Sequence, residues 1–282
     1  MTIITPAVTR SYVKGARFPS APPRPAKAMA LTDLPPIQLK ASEAQSLVVG
    51  SGLIVAAEKV PVRTREDLIN CTLFAQLAAS GEVGKRSEVM DWYDAYFRAL
   101  TALGWAQSDT QFEDYDFRAR NAEAHQAVIK VIAALMGPQT AAVLVVKTAL
   151  EALQSMNENS PWITLFDQQS KVEKSARFQV ATAEIAPDGL LQVALVAFHL
   201  KARSKLTQVL FFKSTSSSTR LKYAAGKATI YEAALAEQRN AIASRLTDYR
   251  NAFVRQVKFP PPPAAAPARG LRRRSSAPSR KK

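Results

Sequence analysis

From Arg177 to Leu200 the chain alternates in a two-residue rhythm that breaks once, at Pro187-Asp188-Gly189. Proline presets one backbone angle and glycine accepts a positive one, so this tripeptide reads as a tight turn between two strands. The second strand, Leu190 to Leu200, is apolar at both alternating sets of positions. A strand of that kind is central and covered on both faces. An apolar run at Leu206–Lys213 and a short one at Arg220–Tyr223 extend the pattern to a four-stranded antiparallel meander. Thr229-Ile-Tyr-Glu232 has the form of a capping box. It is followed by Leu235, Ile242, Leu246, Tyr249 and Phe253, the apolar stripe of a long helix.

Helical spacing dominates the first half of the chain. Thr64-Arg-Glu-Asp67 opens a helix to about Ser80, with Leu68, Cys71, Phe74, Ala75 and Ala78 on one side. Ser87 reads as the cap of a second helix carrying Trp92, Tyr93, Tyr96, Phe97, Leu100 and Leu103, and Gly104 stands where its left-handed terminal residue belongs. A helix from Asn121 stops at Gly137-Pro138, another spans Thr140–Met156, and Ser160-Pro161 starts a short one to Ser170. Trp105–Arg118 reads as a loop or edge strand. Leu47–Val55 is an apolar run whose periodicity does not separate helix from strand, and Gly50-Ser-Gly52 interrupts it. The expectation is an α+β fold. A helix-rich N-terminal half precedes a four-stranded antiparallel meander closed by a long C-terminal helix, in a single compact domain with helices on both faces of the sheet.

Charge changes this picture at the ends. The formal net charge is +15, but residues 1–40 hold six Lys/Arg against Asp33 alone, and residues 256–282 hold eight with no acid. The span between them carries 24 basic and 22 acidic residues and is nearly neutral. Three regions follow: a Pro/Ala-rich basic leader without a core at 1–40, a globular domain at 41–255, and a Pro260–Pro263 spacer with a basic tail at 256–282. Pro6, Pro19, Pro22, Pro23 and Pro25 argue against an amphipathic helix in the leader. Without a basic n-region and apolar h-region, the leader fits cytoplasmic residence or export by a non-classical route. The longest uncharged runs, Ala44–Ala57 and Val131–Val146, are shorter than the ~20 residues that span a bilayer.

Candidate chemistry is sparse. Cys71 is the lone cysteine, so no intramolecular disulfide forms. His125 and His199 are the two histidines. A Cys71–histidine dyad with a carboxylate is the formal hydrolase or transferase reading, set against an inert core thiol, an exposed His125 and a half-buried His199. Asp109, Glu113, Asp114 and Asp116 carry the oxygens for calcium or for an acid/base pair but lack the spacing of an EF-hand, so a solvated acidic loop is the simpler reading. No motif calls for a metal, nucleotide or other cofactor. Lys213–Arg220 is a polar connection with the alternative of a ligand loop. The sharpest short motif is in the tail. Arg272, Arg273, Arg274, Arg280, Lys281 and Lys282 are candidates for weak contact with nucleic acid or anionic lipid, and Ser275 and Ser276 are candidate phosphorylation sites. Were polyanion binding to lie in the domain instead, Lys201, Arg203, Lys205, Lys213 and Arg220 would have to assemble it. The function read from these features is a non-enzymatic interaction protein of the exported effector or virulence type that engages a protein partner. A membrane-associating, toxin-like protein and an unrecognised enzyme are the alternatives.

Overall fold

A mixed sheet organises the chain in the computed structural model, which describes residues 4–21, 37–84, 88–115, 124–157, 159–172, 174–202, 209–211 and 219–257. After a first helix, α1 (Pro6–Gly15), a hairpin forms from β1 (Gln45–Val49) and β2 (Gly52–Ala56). Helices α2 (Val62–Val83) and α3 (Val89–Ala102) follow, then short strands β3 (Trp105–Gln107) and β4 (Glu113–Tyr115). Next come α4 (Ala124–Met136), α5 (Ala141–Ser155) and α6 (Pro161–Ser170), and strands β5 (Lys171–Val172), β6 (Ser175–Ile185), β7 (Leu191–Lys201) and β8 (Arg220–Ile230). The described residues finish with α7 (Glu232–Ala236), α8 (Arg239–Phe253) and β9 (Val254–Val257).

The strand order is β3-β8-β7-β6-β2-β1-β9, with β4 also on β8 and β5 on β6. The β2–β6 pair is parallel and every other pair antiparallel. This overturns the meander closed by a helix. The three long strands β6, β7 and β8 are only the middle of a nine-stranded mixed sheet. Val209–Phe211, inside the expected third strand, is not extended, and the rest of that run lies outside the described residues. The fourth strand is not short, because β8 runs through Ile230. Thr229 therefore belongs to a strand rather than a cap, paired with Ala106 of β3 and exposed to solvent. Past Phe253 the chain does not end on α8 but returns to the sheet as β9.

Helices cover both faces. One core joins Leu47, Val49, Ile54 and Ala183 of the sheet to Leu68, Phe74, Tyr93 and Tyr96 of α2 and α3. The other joins Val48, Leu53, Phe178, Val196 and Phe198 to Val128, Val146, Leu150 and Phe166 of α4, α5 and α6. β1 and β2 are buried along their whole length, which is why their apolar pattern showed no period. Gly50, at φ +55°, makes the turn between them, and a Cβ there would lie 2.2 Å from Gln76 Oε1. The expected leader 1–40 is not uniformly coreless either. Pro6 begins α1 at a helix start, where its missing N–H costs nothing, and the helix is capped by Thr5. Val13 is buried, Phe18 packs edge-on to Phe74 and Tyr249, and Arg245 donates to the carbonyls of Val13 and Ala16.

Candidate functional site

The residues singled out in the sequence scatter in the fold. Arg272, Arg273, Arg274, Ser275, Ser276, Arg280, Lys281 and Lys282 lie outside the described residues. Cys71 is buried in the α2–α3 core, where desolvation pushes its thiol up to about 12. His125 is buried rather than exposed and packs against Phe211 in the layer on the other side of the sheet. The thiol and that imidazole therefore do not form a dyad. The acidic residues disperse as well. Asp109 accepts from the Gln111 N–H, Glu113 accepts from the Tyr223 hydroxyl at 3.0 Å, and Asp114 faces Lys222 at 3.8 Å. Asp116 lies outside the described residues, and among those described no cluster of His, Cys, Asp and Glu could hold a metal.

What the topology does bring together is basic. In the central strands Arg177 of β6 stands opposite His199 of β7, which stands opposite Lys222 of β8. One step along, Ser175, Lys201 and Arg220 form the next row. Because side chains alternate, these residues share the sheet face that carries Ala181, Leu195 and Ala224, the face under α3. The first turn of α3 reaches this end of the sheet. Its Trp92 ring lies 4.2 Å from the Arg177 guanidinium carbon. Its Tyr93 hydroxyl donates to the Phe198 carbonyl at 2.6 Å and accepts from Gln179 Nε2 at 3.3 Å.

The electrostatics of the cluster are one-sided. Burial holds the Arg177 guanidinium down at about 10. Burial first, then Lys201 and Lys222, hold the His199 imidazole down at about 4, so it is neutral at physiological pH. Lys201 and Arg220 are exposed and directly opposite each other, an arrangement that like charges disfavour. Among the described residues, the carboxylate paired with any of these cations is Asp114, itself 70% exposed. Arg177 Nε is buried without a hydrogen-bond acceptor.

The opposite end of the same strands shows the contrast. A cleft of about 300 Å³ is floored by Leu191, Val193, Ala228 and Ile230 and rimmed by charges. There Arg239 grips Asp67 at 2.8 and 2.7 Å and Glu232 at 2.8 and 2.6 Å. These charges satisfy one another and tie α2 to α7 and α8, so they are structural. The buried network of Gln76 with Ser51, Gln179 and the Val49 carbonyl has the same character, fixing the β1–β2 turn against α2.

No protein-family model matches the chain, and no curated protein matches it. Solved structures overlap with it weakly, two of them as follows. One titled delta-endotoxin has a TM-score of 0.34 and 13% identity over 75% of this chain and 91% of its own. One titled as the Evf virulence factor has a TM-score of 0.31 and 10% identity over 72% of this chain and 84% of its own. Overlap at that level carries no argument about this chain's activity. No helix among the described residues is long and apolar enough to cross a membrane.

Proposed function

We propose that the protein is a non-enzymatic interaction protein, of the effector or virulence type, that captures an acidic partner on the basic end of its central strands. The observation that carries this reading is the set Arg177, Lys201, Arg220 and Lys222 on one sheet face, with like charges held opposite each other across β7 and β8. Such repulsion is relieved when an anion settles over the cations. The effector class itself comes from the basic leader and tail around a nearly neutral domain. The names of the two weakly overlapping structures are of the same kind and add nothing to it. The tail cations Arg272–Arg274, Arg280, Lys281 and Lys282 would add a weak, sequence-indifferent attraction.

The test uses a heparin column and salt elution of the full chain. Lys201→Gln with Arg220→Gln should elute at clearly lower salt than the parent. Changing Arg272, Arg273 and Arg274 to glutamine should have the smaller effect. If the tail variant loses retention and the sheet variant does not, the sheet face is not the binding surface.

A further inference from the structure

The footprint of the basic face says more than its sign. Neighbouring strands lie ~4.8 Å apart and residues two apart on a strand ~6.6 Å apart, so the two rows occupy a patch of roughly 10 by 7 Å. All of the cations sit at one end of three strands. Among the described residues they do not continue as a stripe, since the same face is next occupied by Gln179, Ala197 and Ala224 and is then covered by α2 and α3. An extended polyanion needs a track, and single-stranded nucleic acid needs exposed aromatic faces. Here Trp92 and Tyr93 are buried between α3 and the sheet and offer no stacking surface.

The donors are also unlike one another. The Arg177 guanidinium carbon sits 4.2 Å over the Trp92 ring, so its planar fork is placed against a buried aromatic before any ligand arrives. His199 sits between Arg177 and Lys222 as a neutral ring able to give or accept a hydrogen bond. Lys201 and Arg220 close the patch on the solvent side. A single carboxylate would leave most of these charges unpaired, whereas two or more phosphates a few ångströms apart would engage both rows.

We infer that Arg177, His199, Lys201, Arg220 and Lys222 form a site for a compact, multiply phosphorylated group, borne by a lipid headgroup or by a small soluble molecule. The inference rests on the reading of this face as anion-binding and narrows it to one ligand chemistry.

The experiment is calorimetric titration of the full chain with orthophosphate, tripolyphosphate and a heparin fragment. It is joined by flotation with phosphatidylcholine vesicles carrying either phosphatidylserine or a phosphatidylinositol bisphosphate at matched total charge. Tripolyphosphate should bind at least about tenfold tighter than orthophosphate, because only it spans both rows with charge-assisted hydrogen bonds. Arg177→Lys, which keeps the charge but loses the fork, should weaken tripolyphosphate about fivefold or more. The exposed pair Lys201→Gln and Arg220→Gln should weaken it about tenfold while leaving thermal unfolding unchanged, which separates ligand loss from misfolding. Preference for the bisphosphate vesicles identifies a lipid headgroup, and tripolyphosphate binding without vesicle preference identifies a soluble ligand; both support the site. If heparin binding depends on the sheet cations but tripolyphosphate binds no tighter than orthophosphate, this inference fails and the function reading stands. If neither variant affects any anion, both fail.

Discussion

Truncating the Phe18 ring should destabilise the fold although Phe18 lies in a region whose composition promised no core. Its ring meets Phe74 at 4.8 Å and 80° and Tyr249 at 5.6 Å and 88°, both edge-on, and the Arg245 guanidinium carbon lies 4.2 Å from its centre. Removing a fully buried phenylalanine costs about 3–5 kcal/mol. Phe18 is only partly buried, so roughly half of that applies, about 2 kcal/mol. Loss of the two edge contacts and the cation–π contact raises the expectation to about 2–3 kcal/mol. For a domain of this size that is a fall in Tm of about 5–10 °C. Urea unfolding read by far-ultraviolet circular dichroism should show a lower midpoint at unchanged slope. A second variant reaches the same contact from the other side. Gly81 of α2 lies under the Arg17 carbonyl, and a Cβ there would stand 2.1 Å from that oxygen. Gly81→Ala should therefore lift residues 16–18 off α2 and destabilise comparably, despite alanine's better helix propensity. If Phe18→Ala moves stability by less than about 0.5 kcal/mol, the size of an ordinary surface substitution, the N-terminal segment is not part of the core.

Asp67→Asn should cost about 3 kcal/mol, measured by chemical unfolding, because the Asp67 side chain is 6% exposed and the change strands part of the Arg239 fork in the α2–α8 contact. Cys71 should react with a thiol reagent far more slowly in native than in denatured protein, since its buried thiol is not ionised near neutral pH. His199 makes the fold acid-sensitive in a defined window. Its folded value, about 4, lies below its ordinary value of 6.5, so the unfolded chain takes the proton first. That contribution is complete above about pH 6.5 and is lost as pH falls toward 4. The loss of stability between pH 7 and pH 5 should be smaller in His199→Gln than in the parent, and equal losses would show that the ring is not desolvated.

What could be read from sequence was what local chemistry decides. Ser160 caps α6 through its hydroxyl as the spacing implied, at 3.4 Å to the Ile163 N–H, and Thr140 caps α5 in the same way, at 3.5 Å to the Val143 N–H. The Pro187-Asp188-Gly189 turn forms with Gly189 at φ +82° and the Asp188 carboxylate accepting from the Leu190 N–H. The short strands β3, β4, β5 and β9 were not legible as members of one sheet, because segments of two to four residues become strands only when a neighbour supplies hydrogen bonds. The basic face was hidden for a related reason. Arg177, His199 and Lys222 lie on three different strands, and their meeting depends on a cross-strand register that no local motif encodes. Alternation within β7 did place His199 and Lys201 on one face, and that was the signal available. Pro6 misled in the other direction, since a proline count over the leader ignored that proline is at home in the first turn of a helix.

The pairing of β1 with β9 bears on the order in which this chain can become safe from its neighbours. β1 is wholly buried, yet it is bonded to β2 on one side and on the other only to four residues made at the far end of the chain. Its shield is fastened by the Gly50 N–H to the Phe253 carbonyl and by Trp162 Nε1 to the Gln256 carbonyl, both at 2.7 Å. While the chain is being made, Gln45–Val49 is thus an apolar strand with an open row of peptide groups, the form most prone to recruit another copy of itself. A fragment ending at Phe253 would carry that adhesive rim permanently, and a helper that masks it during synthesis would matter more here than for a fold whose edges close locally.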